Sequence, residues 1–271
     1  MPIVTLSTDI GLHDYLTGAI KGQLLSANSS LQIVDITHTL SLDDYPHAAY
    51  ICNNAYEHFP AGTFHILIIN LFESSPKHFL IAKHNNQYII CPDNGILTML
   101  TGAKPDYAIA VKLQADIGIG TLHYTAAIAQ TLAQIADGKM VEEVGEMVTA
   151  ITEKYPLRST IGADWLEGQI IFIDNFENVV VNITRQEFEE ERKGRRFQIS
   201  FMRNEIISTL SDNYASVSPG EKLAWFNSAG YLEISVNKGN MAGLFGLSSF
   251  SSDSAPPQHK WFYQTVRIYF E

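Results

Sequence analysis

The chain has 271 residues, of which 46% are apolar and 17% charged; with a mean hydropathy of +0.00 this is a globular composition, long enough for one large domain or two modest ones. Lys and Arg total 18 against 29 Asp and Glu, so a net charge of −11 excludes the basic footprint of a duplex-binding protein and the polybasic patch of a membrane-surface one. No run of about 18 apolar residues is present to cross a bilayer, and no basic, apolar leader opens the chain, so neither a membrane nor a secretory route is expected.

Residues Ile3 to Ser7 read as a short buried strand that ends at Thr8-Asp9-Ile10-Gly11. Asp14 then opens a helix as its N-cap, with Leu16, Ala19, Ile20, Leu24 and Leu25 at helical spacing. A strand over Leu31–Ile36 and a helix over Asp43–His58 follow, the helix with Tyr45, Ala48, Ala49, Cys52 and Tyr56 on one face. Pro60-Ala61-Gly62 breaks the chain before Thr63–Ile69, a continuous apolar run of the kind found in a sheet covered on both sides. Phe79–Ala82 and Tyr88–Cys91 read as paired strands joined by His84-Asn85-Asn86. Asn94–Leu100 is a short helix, and Leu122–Ala136 a longer one closed by Asp137-Gly138. The alternation predicts an α/β domain with a central, mostly parallel sheet over residues 1–154.

The pattern changes near residue 155. Pro156 and Gly162 mark a linker over residues 155–165. Beyond it, Leu166–Ile173, Val179–Thr184, Phe197–Phe201, Leu232–Val236 and Trp261–Tyr269 predict a smaller all-β barrel domain over residues 166–271. The charge run Glu187–Arg196 reads as a solvated turn or short helix. The two cysteines, Cys52 and Cys91, sit in apolar surroundings and read as buried free thiols in a reducing cytoplasm.

Three groups of residues suggest chemistry. Asp9 stands where a buried strand meets a loop, and ligands of open α/β sheets gather there. It reads either as a turn or capping residue or as an acceptor for two vicinal ribose hydroxyls. Asp174-Asn175-Phe176-Glu177-Asn178 joins two strands: a turn by composition, but also an acceptor, a flat ring and a bifunctional amide within five residues. Asn227-Ser228-Ala229-Gly230 is a tight turn before an alternating strand. Neither GxGxxG nor GxxxxGK[ST] is present, nor HExxH, CxxC or GxSxG, and the histidines lack metal-ligand spacing, so no metal site is expected.

These residues fall in a collinear order that resembles one family. Thr8-Asp9-Ile10-Gly11-x-x-Asp14, Val34-Asp35-Ile36-Thr37-His38, Phe59-Pro60-x-Gly62-Thr63 and Pro92-Asp93-Asn94-Gly95-Ile96-Leu97 are similar to the N-terminal domain of the S-adenosylmethionine hydroxide adenosyltransferases. That family includes the S-adenosylmethionine hydrolases, the fluorinase and the chlorinase. Asp174-x-Phe176-x-Asn178, Asn182-Ile183, Asn227-Ser228-x-Gly230-x-Leu232-Glu233-Ile234 and Asn237-x-Gly239-Asn240 continue the resemblance to about residue 246.

The resemblance implies an α/β domain, a β-barrel, and a homotrimer that holds each nucleoside ligand between subunits. It implies that Asp9 holds the ribose diol, Asp174 takes the methionine ammonium, and Phe176 and Asn178 bind adenine, with Ser228, Glu233 and the backbone at Val236 completing the pocket. The implied reaction is hydrolysis of S-adenosylmethionine, as substrate with no separate cofactor, to adenosine and methionine by water attack at ribose C5′. Neutral methionine leaves, so positioning and desolvating the nucleophile are the main tasks.

Family hydrolases hold that water with an Asp and an Arg in a Val-Asp-Pro-Gly-Val-Gly-Thr-x-Arg segment and a later His. The corresponding segment here is Ile69-Asn70-Leu71-Phe72-Glu73-Ser74-Ser75-Pro76-Lys77, so Asn70 and Lys77 replace the Asp and Arg, while the His is retained as His123. An amide takes no proton at neutral pH, and Lys lacks a bidentate fork. Glu73 is a candidate replacement carboxylate, and an anionic nucleophile is a second way to use the altered set. The short link between the paired strands lacks the fluorinase insertion and favours the hydrolase branch. The alternatives are a non-catalytic adenosine or S-adenosylmethionine binding protein and a trimeric scaffold without ligand.

Overall fold

The computed structural model describes residues 2–113, 120–202, 205–247 and 264–271. The chain divides into two compact units, residues 1–156 and 157–271.

In the first unit the elements run β1 (Ile3–Thr8), α1 (Leu16–Ala27), β2 (Gln32–Thr37), α2 (Tyr45–Tyr56), β3 (Phe64–Ile68), β4 (His78–His84), β5 (Gln87–Pro92), α3 (Ile96–Thr101), β6 (Ala108–Lys112), α4 (Thr121–Ala136) and β7 (Glu146–Val148). They form a seven-stranded sheet in the order β2-β1-β3-β5-β4-β6-β7. Helices cover both faces. Val4, Leu6, Ile66, Ile68 and Ile90 pack with Ile20 and Leu24 of α1 and with Tyr124, Ile128 and Leu132 of α4. Leu67, Leu80, Ile89 and Cys91 pack on the other side with Ala48 and Cys52 of α2 and Leu97 of α3. The alternation of Ile66, Leu67 and Ile68 between these faces follows from the two-residue side-chain period of a strand. All five residues of β3 are buried, which is why its sequence is continuously apolar. Cys52 and Cys91 are buried free thiols, and burial pushes Cys52 up to about 11.

The sheet is mixed, not mostly parallel. β2, β1, β3 and β5 pair in parallel, while β4, β6 and β7 add three antiparallel pairings. The cause is local. Asn85 and Asn86 have φ of 48° and 61°, the left-handed pair of a two-residue hairpin turn, so β5 must run back along β4. The strands β6 and β7 carry no strong sequence signal and extend the antiparallel half. Asp14 accepts the Leu16 N–H at 2.9 Å, but α1 begins only at Leu16.

The second unit contains β8 (Thr160–Ile161), β9 (Trp165–Ile173), β10 (Val179–Thr184), α5 (Arg185–Arg192), β11 (Phe197–Met202), β12 (Glu205–Ile207), β13 (Lys222–Phe226), β14 (Tyr231–Val236), α6 (Met241–Leu244) and β15 (Thr265–Phe270). Its sheet is antiparallel throughout, in the order β12-β11-β15-β9-β10-β14-β13, with β8 beside β9. The edge strands β13 and β12 are tied by Lys222 Nζ to Glu205 Oε1 at 2.8 Å. Trp261, expected to open the last strand, lies outside the described residues.

The charge run forms helix α5. Thr184 and Glu187 make a capping box, the Thr184 side chain accepting the Glu187 N–H and the Glu187 carboxylate accepting the Thr184 N–H. Its one buried residue, Phe188, meets the Phe197 ring edge-on at 5.1 Å. That contact anchors an otherwise polar helix to the core.

Candidate active site

The parallel strands of the first unit end on one rim. Asp9 follows β1, Asn70 follows β3 and Asp93 follows β5. Because β4 is antiparallel, its first residue, His78, sits on the same rim and meets Asp93 at 3.1 Å. Asp9 Oδ2 accepts the Asn70 N–H at 2.6 Å, so two predicted site residues from separate loops are joined directly. Burial raises the Asp9 carboxyl above its ordinary value, against the opposing pull of the Asn70 N–H. Asn94 Nδ2 donates to the Ile69 carbonyl at 2.8 Å and closes the turn from below.

Asn70 has φ of 47°, a left-handed conformation that Asn tolerates better than most residues. The turn continues with Glu73 N–H donating to the Asn70 carbonyl at 3.1 Å. The Glu73 carboxylate accepts the Tyr45 hydroxyl at 2.7 Å and Lys154 Nζ at 2.9 and 3.0 Å. Lys154 Nζ also stands 4.0 Å from the centre of the Tyr45 ring. The Tyr45 hydroxyl and Lys154 together hold the Glu73 carboxyl below its ordinary value. Burial and the Glu73 charge push the Tyr45 phenol up, while the nearby Asn70 side chain pulls it down.

Lys77 is exposed, and its carbonyl accepts the Leu113 N–H at 2.9 Å. His123 lies in the first turn of α4, where its Nε2 is buried and makes no hydrogen bond among the described residues. Asn70 is thus linked to Asp9 and lies in one turn with Glu73, whereas no hydrogen bond joins Lys77 or His123 side chains to them among the described residues.

In the second unit, the β9–β10 loop folds around Asp174. Its Oδ1 accepts the Phe176 and Asn178 backbone N–H groups at 2.9 and 2.8 Å, and its Oδ2 accepts Asn178 Nδ2 at 2.8 Å. Asn178 Nδ2 also donates to the Tyr214 oxygen at 2.7 Å, and Tyr214 donates to Glu233 Oε1 at 2.8 Å. Trp225 Nε1 and Ser235 Oγ donate to the same Glu233 oxygen at 2.9 and 3.0 Å. Glu233 is 4% exposed, so this carboxylate is buried with three donors that compensate its desolvation. Burial and the bond to Glu233 raise the Tyr214 phenol. The Phe176 ring lies outside this network, the residue being 73% exposed.

A family model described as the SAM hydroxide adenosyltransferase N-terminal domain matches residues 4–145, and its C-terminal counterpart matches residues 168–252. The chain belongs to the SAM hydroxide adenosyltransferase family. A relative from Salinispora tropica named (R)-S-adenosyl-L-methionine hydrolase is 24% identical over 256 residues, covering 91% of this chain and 95% of its own. A fluorinase from Actinoplanes sp. is 24% identical over 284 residues, covering 92% and 95%. The fold is also that of an uncharacterized conserved protein from Thermotoga maritima, whose crystal structure aligns with a TM-score of 0.78 at 21% identity over 99% of both chains.

Two further positions of this adenosyltransferase-family chain lie near the β14 strand. Ser228 is exposed in the β13–β14 turn, which Gly230 allows with φ of 77°. Asn227 Oδ1 braces the turn by accepting the Ala229 and Tyr231 N–H groups at 3.1 and 3.2 Å. The Val236 carbonyl accepts the Gly239 N–H at 3.0 Å. Sequence reasoning missed Tyr214, Trp225 and Lys154, and it assigned Tyr45 to a core face alone. Tyr214 and Lys154 lie outside strands and α-helices, where periodicity carries no signal. Asn94 lies in the Pro92-Asp93-Asn94-Gly95 segment, where the sequence alone suggests no role for its amide.

Proposed function

We propose that the chain hydrolyses S-adenosylmethionine, with water attacking ribose C5′ and methionine leaving as a neutral thioether. Asp9 binds the ribose diol, Asp174 the methionine ammonium, and Phe176 and Asn178 the adenine. Ser228, Glu233 and the Val236 backbone complete the site, with Asn70, Lys77 and His123 on the side of the nucleophile. The observation that carries this reading is the Asp174–Asn178–Tyr214–Glu233 network, whose hydrogen bonds fix the binding groups before any ligand arrives. Family membership and relatives named as hydrolases support it. The two-residue turn at Asn85–Asn86 leaves no fluorinase-type insertion and favours hydrolysis over halogenation.

The same reading takes the protein as cytoplasmic and as a homotrimer with sites between subunits, S-adenosylmethionine being its substrate and no separate cofactor taking part. It takes the functional domains as residues 1–154 and 166–271 around a linker, with the second sheet closing into a barrel through the Lys222–Glu205 tie. Among the described residues, no helix is long and apolar enough to cross a membrane.

The test is incubation of purified protein with S-adenosylmethionine and chromatography for adenosine. Adenosine above the spontaneous background is expected; none between roughly pH 6 and 9, the range that spans histidine titration, overturns hydrolysis. The second reading, binding without turnover, is favoured by two observations: Lys77 is exposed and makes no ion pair among the described residues, and Asn70 has no acidic proton to exchange. It gives calorimetric heat with adenosine and no product.

A further inference from the structure

We propose that Glu73 is the proton-accepting carboxylate of this enzyme and that Lys154 and Tyr45 are its positioning residues, so that the acid lost at Asn70 is replaced within the same turn. The inference rests on the hydrolase reading and names the group that handles the nucleophile.

The geometry supports it in four ways. First, the turn bond from Glu73 N–H to the Asn70 carbonyl brings Glu73 back beside Asn70, which Asp9 holds in place through its own bond to the Asn70 N–H. The new carboxylate is therefore tied to the same rim as the ribose-binding acid. Second, Glu73 has a fixed cationic partner. Lys154 Nζ contacts both of its oxygens at 2.9 and 3.0 Å, and Lys77 makes no such pair among the described residues. The acid and cation that family hydrolases carry at the positions of Asn70 and Lys77 reappear as Glu73 and Lys154. Third, Lys154 is itself placed. Its backbone N–H donates to Thr98 Oγ1 at 2.9 Å, Thr98 donates back to the Lys154 carbonyl at 2.7 Å, and the ammonium sits over the Tyr45 ring. Fourth, the Tyr45 hydroxyl spends its proton on Glu73 at 2.7 Å, and this fixes the carboxylate plane. The side chain of Glu73 remains 42% exposed, open to a water molecule.

The step balances. The water oxygen bonds to C5′, and the C5′–S bond breaks with its electron pair passing to sulfur. Neutral methionine leaves, one water proton passes to a Glu73 oxygen, and the other stays on the adenosine 5′-hydroxyl. A carboxylate that accepts this proton neutralises the charge that the sulfonium gives up.

The experiment compares adenosine release from S-adenosylmethionine by the wild type, Glu73→Gln, Lys154→Met, Lys154→Arg and Lys112→Met, with the thermal midpoint of each and calorimetric binding of adenosine. Lys112 forms an exposed ion pair with Glu146 and serves as the control. Glu73→Gln is expected to lower kcat about 100-fold or more, the usual worth of a general base, with KM and adenosine affinity nearly unchanged. Lys154→Met is expected to lower kcat about tenfold, and Lys154→Arg to restore most of it, because an ordinary structural loss would not be rescued at constant KM. Wild-type release with Glu73→Gln folded and equally active overturns the inference and leaves the hydrolase reading standing. A fall in binding without a fall in kcat also overturns it. A wild type that binds adenosine but releases none overturns the hydrolase reading, and this inference with it.

Discussion

Two loops of this protein, Asp174–Asn178 and Asn70–Lys77, are built in opposite ways. The first is braced mainly from within: the Asp174 side chain accepts three bonds from its own loop, Asn178 passes the network on to Tyr214 and Glu233, and one outside bond runs from the Ala242 N–H to the Glu177 carbonyl. The second relies on distant partners, with Asp9, Asn94, Tyr45 and Lys154 each reaching in from another element. A loop braced by its own residues preserves a binding geometry as long as those residues stay. A loop braced from outside tolerates replacement of its members when the surroundings supply new partners. On the proposed function, this difference would let the Asp174–Asn178 loop keep its pattern while the Asn70–Lys77 segment departs from that of the family.

Acid tests the contrast most severely, because the buried histidines His47 and His65 both lie within residues 1–156. His47 and His65 are 4% and 0% exposed, and burial lowers both to about 4. The unfolded chain binds protons at these side chains near pH 6.5, while the folded protein refuses them until about pH 4. Stability is therefore complete above pH 6.5 and falls as the pH drops from 6.5 to 4, by on the order of 3 kcal/mol for each histidine. Chemical denaturation across this range, followed by hydrogen exchange, is expected to show the first unit opening before the second. Simultaneous opening at all pH values contradicts it.

Glu233→Ala is the corresponding attack on the second unit. It leaves Tyr214, Trp225 and Ser235 without their shared acceptor in a buried site, a loss of about 2–3 kcal/mol. Thermal unfolding reads the loss, and calorimetry with adenosine is expected to show affinity falling at least tenfold. Tyr214→Phe is milder. It removes one link between Asn178 and Glu233, costs about 1 kcal/mol, and is expected to weaken adenosine binding by about fivefold. Phe176→Ala has the smallest effect on the fold. The ring is almost bare, so the thermal midpoint stays within the error of surface substitutions, about 0.5 kcal/mol, while adenosine affinity drops. An unchanged affinity removes Phe176 from the adenine site.

The parts of this design that were legible in the sequence were those encoded locally. The run Phe64–Ile68 announced a strand covered on both faces, and Asp9 at the end of a buried strand announced a rim position. The Asp-x-Phe-x-Asn loop combined residues whose bonds span only two to four positions. The antiparallel run of β5 against β4 was implied by the short His84-Asn85-Asn86 link, since parallel neighbours need a long crossover. The antiparallel pairings of β6 and β7 were not legible, because hydrophobic period is the same for both directions. Lys154 and Glu73 lie 81 residues apart, and nothing in either segment names the other. Tyr45 displayed helical spacing and is indeed 6% exposed, yet its hydroxyl reaches past the core to a carboxylate. A pattern of apolar positions records the ring and is silent about the oxygen.

The left-handed backbone at Asn70 limits what evolution or an engineer can place there. At φ of 47° a branched or bulky side chain is penalised, and glycine, asparagine and aspartate are the residues that settle readily. The choice at this point of the chain is thus close to a toggle between an amide, an acid and nothing, and moving from one setting to another asks no rearrangement of the main chain. A library at position 70 that keeps this turn is correspondingly small.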